Sequence, residues 1–276
     1  MDGFRYMLAP MEDFSGGALR TLCHMHGADL TFTEMVRVGA LARRNNCTWS
    51  RLEIRDDTPT VIQLIGSKDH HFRRFLEMYQ PQKGFQGFNL NIACPSPEMI
   101  RLGQGCAMVR KISKTGRIVS IFREYGYPVS VKMRLGLNRM EKENKIYLKI
   151  IEAVDADFFV VHARHGAQTY RDPADFGVYV SCVRTGKPII ANGDIKTRKQ
   201  AEGLRGIGLA GVMIGRAAVE DPSIFSKLRG LPAPPVDELK RQYISLCDTL
   251  DEPVRCSGRV LNHLGKPGLT VFDREI

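Results

Sequence analysis

The sequence predicts an α/β fold, a (β/α)8 TIM barrel followed by a short C-terminal helical extension. Short apolar runs recur eight times between residues 6 and 215, as expected of parallel strands covered on both faces. Helix-like segments separate these runs, and regular alternation of the two is the mark of a barrel. The length of 276 residues suits one such barrel, and a chain of this size buries roughly three quarters of its unfolded surface. A doubly wound open sheet is the competing arrangement. No G-x-G-x-x-G follows the first strand, which counts against it.

Taken in order, strands are expected near Tyr6–Pro10, Leu30–Glu34, Thr60–Gly66, Gly87–Ile92, Pro128–Arg134, Asp157–Ala163, Pro188–Asn192 and Gly211–Gly215. Leu19–Leu22 reads as helix, and Lys145–Val154 places apolar residues at three-four spacing. Thr197 precedes Arg198-Lys199-Gln200 as a helix N-cap. The barrel is expected to occupy residues 1–229, with an extension over 230–276. Gly230–Pro235 reads as a stiff, Pro-rich linker. A helix follows over Asp237–Leu250, with Leu239, Tyr243, Leu246 and Leu250 on one face. The basic tail, Arg255–Ile276, has few helix signals. There is no low-complexity tract and no strong repeat.

Composition narrows the function classes. Hydrophobic residues are 43% and charged residues 25%, which excludes wholesale disorder. Apolar runs stop well short of the ~18 residues of a membrane span, and no membrane association is expected. Met1-Asp2-Gly3-Phe4-Arg5 lacks a long apolar stretch, so no signal peptide is expected. The seven cysteines are odd in number, scattered and free of C-x-x-C spacing. That argues against a disulfide framework or a structural metal and for a cytoplasmic protein. Lys and Arg number 40 against 30 Asp and Glu, for a net charge of +10. Such a surplus suits a polyanionic partner, either nucleic acid or a phosphorylated ligand.

Polar residues interrupt the apolar strands near their carboxyl ends. Gln63 lies in V-I-Q-L-I-G, and Asn91 and Cys94 in N-L-N-I-A-C-P. Lys132 and Arg134 lie in V-S-V-K-M-R, and His162 and Arg164 in F-F-V-V-H-A-R. Asn192 and Asp194 close P-I-I-A-N-G-D. In a barrel all these strand ends meet at one mouth, where chemistry sits. A lysine among valines is costly unless it meets an anion or an electron-rich ligand. Any one of these residues could be a hydrogen-bonded rim residue, but five strands with the same feature point to a site. Asn192-Gly193-Asp194 and Gly215-Arg216 follow the seventh and eighth strands, the usual place for a barrel phosphate cradle. Cys94 sits in a Pro-flanked loop at the same face. Cys106 reads as core packing. Trp49 carries no signal, His70 and His71 read as solvated helix-start residues, and His24 and His26 have no visible partners.

At these residues the chain resembles the tRNA-dihydrouridine synthases, FMN-dependent barrels that reduce uridine in tRNA. The resemblance runs through L-A-P-M at Leu8–Met11, F-T-E-M-V at Phe32–Val36, V-I-Q-L-I-G and N-x-x-C-P at Asn91–Pro95. It continues through V-K-M-R-L-G at Val131–Gly136 and V-H-A-R-H-G-A-Q-T-Y-R-D-P-A-D at Val161–Asp175. It ends with A-N-G-D-I and G-V-M-I-G-R-A. The resemblance implies FMN as cofactor, NADPH as electron donor and tRNA as substrate. Ala9, Pro10 and Met11 would lie against the flavin, and Gln63, Lys132 and His162 would contact its ring system. Asn192, Gly193, Asp194, Gly215 and Arg216 would hold the ribityl chain and phosphate. Cys94 would be the general acid. Asn91, Arg134 and Arg164 would orient the uracil, with Tyr170 and Arg171 on a nearby loop.

The chain departs from the family pattern in three places. Asn89 stands where the family usually has Asp, and Ala93 where it usually has Gly. Only about 45 residues follow Pro232, short for the helical bundle with which the family holds tRNA. A monomer is expected. Three other readings remain open: an FMN reductase of a free pyrimidine, a Schiff-base aldolase using Lys132, and an RNA-binding barrel without chemistry.

Overall fold

The computed structural model describes residues 3–268. Met1, Asp2 and residues 269–276, the end of the expected extension, lie outside the described residues. The strands are β1 Arg5–Leu8, β2 Thr31–Phe32, β3 Val36–Arg37, β4 Thr60–Ile65, β5 Phe85–Ile92, β6 Val129–Arg134, β7 Phe159–His162, β8 Ile189–Asn192 and β9 Gly211–Ile214. They pair in the order β1-β9-β8-β7-β6-β5-β4-β2, and every pairing is parallel. A parallel bridge between Met7 and Leu30 closes the ring, and Leu8 N–H donates to Leu30 O at 2.9 Å. The eight strands read from the sequence therefore form one closed barrel, with β3 as a ninth short strand beside the end of β4.

β3 arises because the expected strand Leu30–Glu34 is broken. The Thr33 hydroxyl, rather than a backbone carbonyl, accepts the Gln63 N–H at 3.1 Å. A side chain that takes a ladder position ends regular pairing, and the chain rejoins the sheet only at Val36.

Helices fill the outer layer. Helix Ile146–Ala153 occupies the segment with three-four spacing. Helix Arg198–Gly206 starts at Thr197 with a reciprocal cap: the Thr197 hydroxyl accepts Gln200 N–H, and Gln200 Oε1 accepts Thr197 N–H. His70 and His71 open helix Asp69–Leu76. Cys106 is buried in a short 3-10 turn, Gly105–Met108. Trp49 packs on Phe75 at 5.5 Å between centroids and donates its indole N–H to Leu41 O at 3.1 Å.

The extension begins after the linker with helix Val236–Thr249, which buries Leu239 and Tyr243. Leu250 is also buried, and Leu246 is partly so. The tail contains a further helix, Val254–His263, which buries Cys256 and Val260. Its local sequence, with Gly258 inside it, is a weak helix former, and tertiary contacts supply what propensity lacks. The two histidines left without partners by sequence have them: His24 Nδ1 meets Ala28 O at 2.8 Å, and His26 Nε2 meets Gln242 Oε1 at 2.9 Å, tying barrel to extension. Among the described residues no helix is long and apolar enough to cross a membrane.

Candidate active site

The register of the barrel sorts the polar strand residues into rows. Gln63, Asn89 and Ser130 are neighbours across β4, β5 and β6, and Asn91 stands beside Lys132. One row further out, Arg134, His162 and Asn192 stand side by side on β6, β7 and β8. Side chains in one row of a parallel barrel project in the same direction, so all of them reach the carboxyl mouth. There Gln63, Asn91, Lys132, Arg134, His162 and Asn192 line a cavity of about 670 Å3. Every residue expected in the site from sequence lines this cavity except Arg171, which is exposed on the loop after β7.

A chain of amides forms the floor. Asn91 Nδ2 donates to Gln63 Oε1 at 2.8 Å, Gln63 Nε2 to Asn89 Oδ1 at 2.7 Å, and Asn89 Nδ2 to Ser130 Oγ at 2.8 Å. Asn89 thus works as acceptor and donor at once, which a carboxylate cannot do. Asn91 Oδ1 accepts the N–H groups of Ala93 and Cys94 at 2.9 and 3.0 Å. These bonds turn the chain after β5 and hold Cys94 at the cavity wall. Burial raises the Cys94 thiol pKa, against the lowering effects of the Ser96 backbone, Arg134 and Lys132. Cys94 therefore holds its proton near neutrality, as a proton donor must.

Lys132 has no hydrogen bond or ion pair among the described residues. Burial, with the neighbouring Arg134 charge, lowers its pKa to about 8. His162 is held well below the usual histidine pKa, first by burial and then by the surrounding cations, Arg134 foremost. Arg164 Nη1 lies 3.1 Å from His162 Nε2. A guanidinium can only donate, so Nε2 is the acceptor and the neutral ring carries its proton on Nδ1.

Two of these residues also brace the site. Arg164, 1% exposed, is committed within the protein. Nε donates to Asp172 O at 2.7 Å and Nη2 to Asp194 Oδ2 at 2.5 Å. Asp194 also accepts Ala174 N–H at 3.0 Å and Arg216 Nη2 at 3.0 Å. Asp194 is thus a clamp on two arginines, and both it and Arg164 brace the loop that carries Tyr170. That ring stacks on His162 at 6.0 Å and lies 4.6 Å from the Arg216 guanidinium. Arg134 Nη1 donates to His165 O and Gln168 O, both at 2.9 Å, and braces the same loop. Arg216 opens a helix of only five residues, so the cation at this end is the guanidinium and not a helix terminus. Gly193 has φ 113, and a Cβ there would come within 3.0 Å of His162. The cradle is therefore open because the residue is glycine.

Sequence reasoning missed several residues that line or support the cavity. Ser15 is buried and pins the loop after β1: its hydroxyl accepts Met11 N–H at 2.5 Å. Glu12, Arg37 and Arg51 line the cavity itself. Arg37 and Arg51 belong to the segment between β2 and β4, which carries no strand-end polar signal. Glu12, next to L-A-P-M, and Arg37, next to F-T-E-M-V, had neighbours that could have pointed to them.

With this geometry in place, comparisons with known proteins are informative. The family described as Dihydrouridine synthase (Dus) matches residues 7–250. The tRNA-dihydrouridine synthase B of Pseudomonas putida is 29% identical over 248 residues, covering 85% of this chain and 73% of that protein. The tRNA-dihydrouridine(16) synthase of Cupriavidus necator is 34% identical over 240 residues, covering 82% and 74%. Among solved structures, a morphinone reductase superposes with a TM-score of 0.59 at 11% identity over 87% of this chain and 88% of its own, a likeness of barrel fold alone. A site of the expected residues, matched along most of the barrel, leads to one conclusion: the chain belongs to the dihydrouridine synthase family.

Proposed function

We propose that this protein uses FMN to reduce uridine to dihydrouridine in tRNA, with NADPH as electron source, and that it works as a cytoplasmic monomer. The observation that carries the reading is the pairing, in one cavity, of a lysine without a partner among the described residues, Lys132, with a thiol that keeps its proton, Cys94. The residues fit FMN. Lys132 offers a cation to the electron-rich edge of a flavin ring, Gly193 leaves room for close backbone approach, and Arg216 supplies a cation for the phosphate.

When bound and reduced, FMN would supply hydride for C6 of uracil. Cys94 would deliver the proton to C5, and its Asn91-held loop keeps the sulfur in place. Lys132 would stabilise negative charge on the bound flavin. Gln63, fixed between Asn89 and Asn91, and neutral His162 would present polar atoms to the ring. Asn91 and Arg134 orient the uracil. Arg164, Asp194 and Tyr170 hold the loop against which the base sits, and Arg171 lies further out toward RNA. The target base must leave its stack to reach the cavity, and the net charge of +10 favours the RNA backbone. A lysine with lowered pKa also suits Schiff-base chemistry, but that reading leaves Cys94 and the amide floor without work.

Mass spectrometry of tRNA incubated with purified protein, FMN and NADPH tests the reading. A gain of two hydrogens at a uridine is expected. Unmodified tRNA with a flavin-loaded protein would refute it.

A further inference from the structure

Three carboxylates meet beside the cavity. Oxygens of Glu12, Asp13 and Glu34 all lie within 4.8 Å of one another. Glu12 lines the cavity and directly follows Met11. Asp13, the next residue, has φ 58, the left-handed region that aspartate enters more readily than most non-glycine residues. Glu34 is buried in the break between β2 and β3. Such a cluster is self-repelling unless cations neutralise it.

Two of its three cations come from the extension. Arg51 of the barrel pairs with Glu12 at 2.8 Å and Glu34 at 3.8 Å. Arg255, in the tail helix, pairs with Asp13 and, at 3.0 Å, with Glu34. Arg259, one turn on, pairs with Asp13 at 3.2 Å, and Cys256 Sγ lies 3.4 Å from Glu34 Oε1. Other contacts seat the extension at the same edge. Glu252 accepts Ala18 N–H at 2.9 Å, and Arg55 donates to the carbonyls of Leu250 and Asp251. The extension is thus built into the barrel mouth at the loop that runs from Ala9 to Ser15.

We propose that Arg255 and Arg259 are positioning residues for the flavin: from the extension they neutralise the carboxylates after β1 and hold the Ala9–Met11 loop in its binding conformation. The extension then completes the cofactor site as well as adding surface for RNA. The inference rests on the FMN reading above. Without the two arginines, the cluster places net negative charge beside the cavity and leaves Asp13 free to relax.

Flavin binding to the full-length chain, followed by fluorescence quenching, tests this. Arg255→Met is expected to raise the Kd for FMN at least about tenfold, the scale on which a part-buried charged hydrogen bond is lost. Arg255→Lys should recover part of the loss. Adding Asp13→Asn to Arg255→Met should also recover part of it, because it removes the unbalanced charge. Affinity of the FMN-saturated variant for unfractionated tRNA should match wild type. Should Arg255→Met not fold, as judged by circular dichroism, the more exposed Arg259→Gln carries the same test. An unchanged Kd for FMN, a loss that Asp13→Asn does not relieve, or a loss confined to tRNA affinity would overturn the proposal. A wild-type protein that takes up no FMN would instead overturn the reading on which it rests.

Discussion

Lys132→Met should stabilise the flavin-free protein while impairing its chemistry. The ammonium is half-buried, has no partner among the described residues, and sits beside Arg134. Its pKa falls from 10.5 to about 8. At about 1.4 kcal/mol per pH unit, keeping Lys132 charged at pH 7 opposes folding by about 3 kcal/mol. Methionine keeps most of the length and removes the charge. For a chain of this size about 3 kcal/mol corresponds to a rise in Tm of about 6 °C or more. Between about pH 8 and 10.5 the unfolded chain binds the Lys132 proton and the folded chain does not, so this group makes wild-type stability rise with pH. Buried thiols with raised pKa oppose that trend, but they are common to both proteins. The difference in stability between variant and wild type should therefore be largest below pH 8 and shrink toward pH 10.5. Thermal unfolding of both proteins across that range measures it, and stopped-flow reduction of the FMN-loaded forms by NADPH should show a slower variant. Equal Tm values, equal pH slopes and equal reduction rates would show that Lys132 bears no strain and faces no flavin.

Two further substitutions probe other parts of the site. Cys94→Ala should bind FMN with unchanged spectrum and accept electrons, yet lose about 10²–10⁴-fold in dihydrouridine formation, the usual loss for a missing general acid. Wild-type turnover would reassign the proton. Asp194→Asn should lower stability by about 2–3 kcal/mol, because the buried Arg164 loses its charged partner while keeping an acceptor. The same change should weaken FMN binding through Arg216, so unaltered urea denaturation and FMN affinity would show that the clamp does not matter.

Much of the site was legible before folding because its signal is local. A polar residue within an apolar strand stands out, and the barrel converts separate strand ends into one mouth without further information. Gln63, Asn91, Lys132 and His162 were found in this way. What such local reasoning does not reach is pairing between distant residues. Asp194 and Arg164 both line the cavity, and they also pair with each other from the ends of β8 and β7. Arg171, from the same motif as Tyr170, points outward, since a loop has no fixed period from which to read a face.

The sequence by itself determined the eight main strands, their parallel arrangement and which polar side chains stand at their ends. These follow from periodicity and from the few residue types that can move protons or balance a flavin's charge. Tertiary structure alone decided which cations are neutralised, which carboxylates share a site, and that the weakly patterned tail becomes a helix. Those outcomes depend on charges brought together from opposite ends of the chain, such as Arg255 with Asp13. Electrostatic and packing energies act through space, and no spacing along the sequence records them.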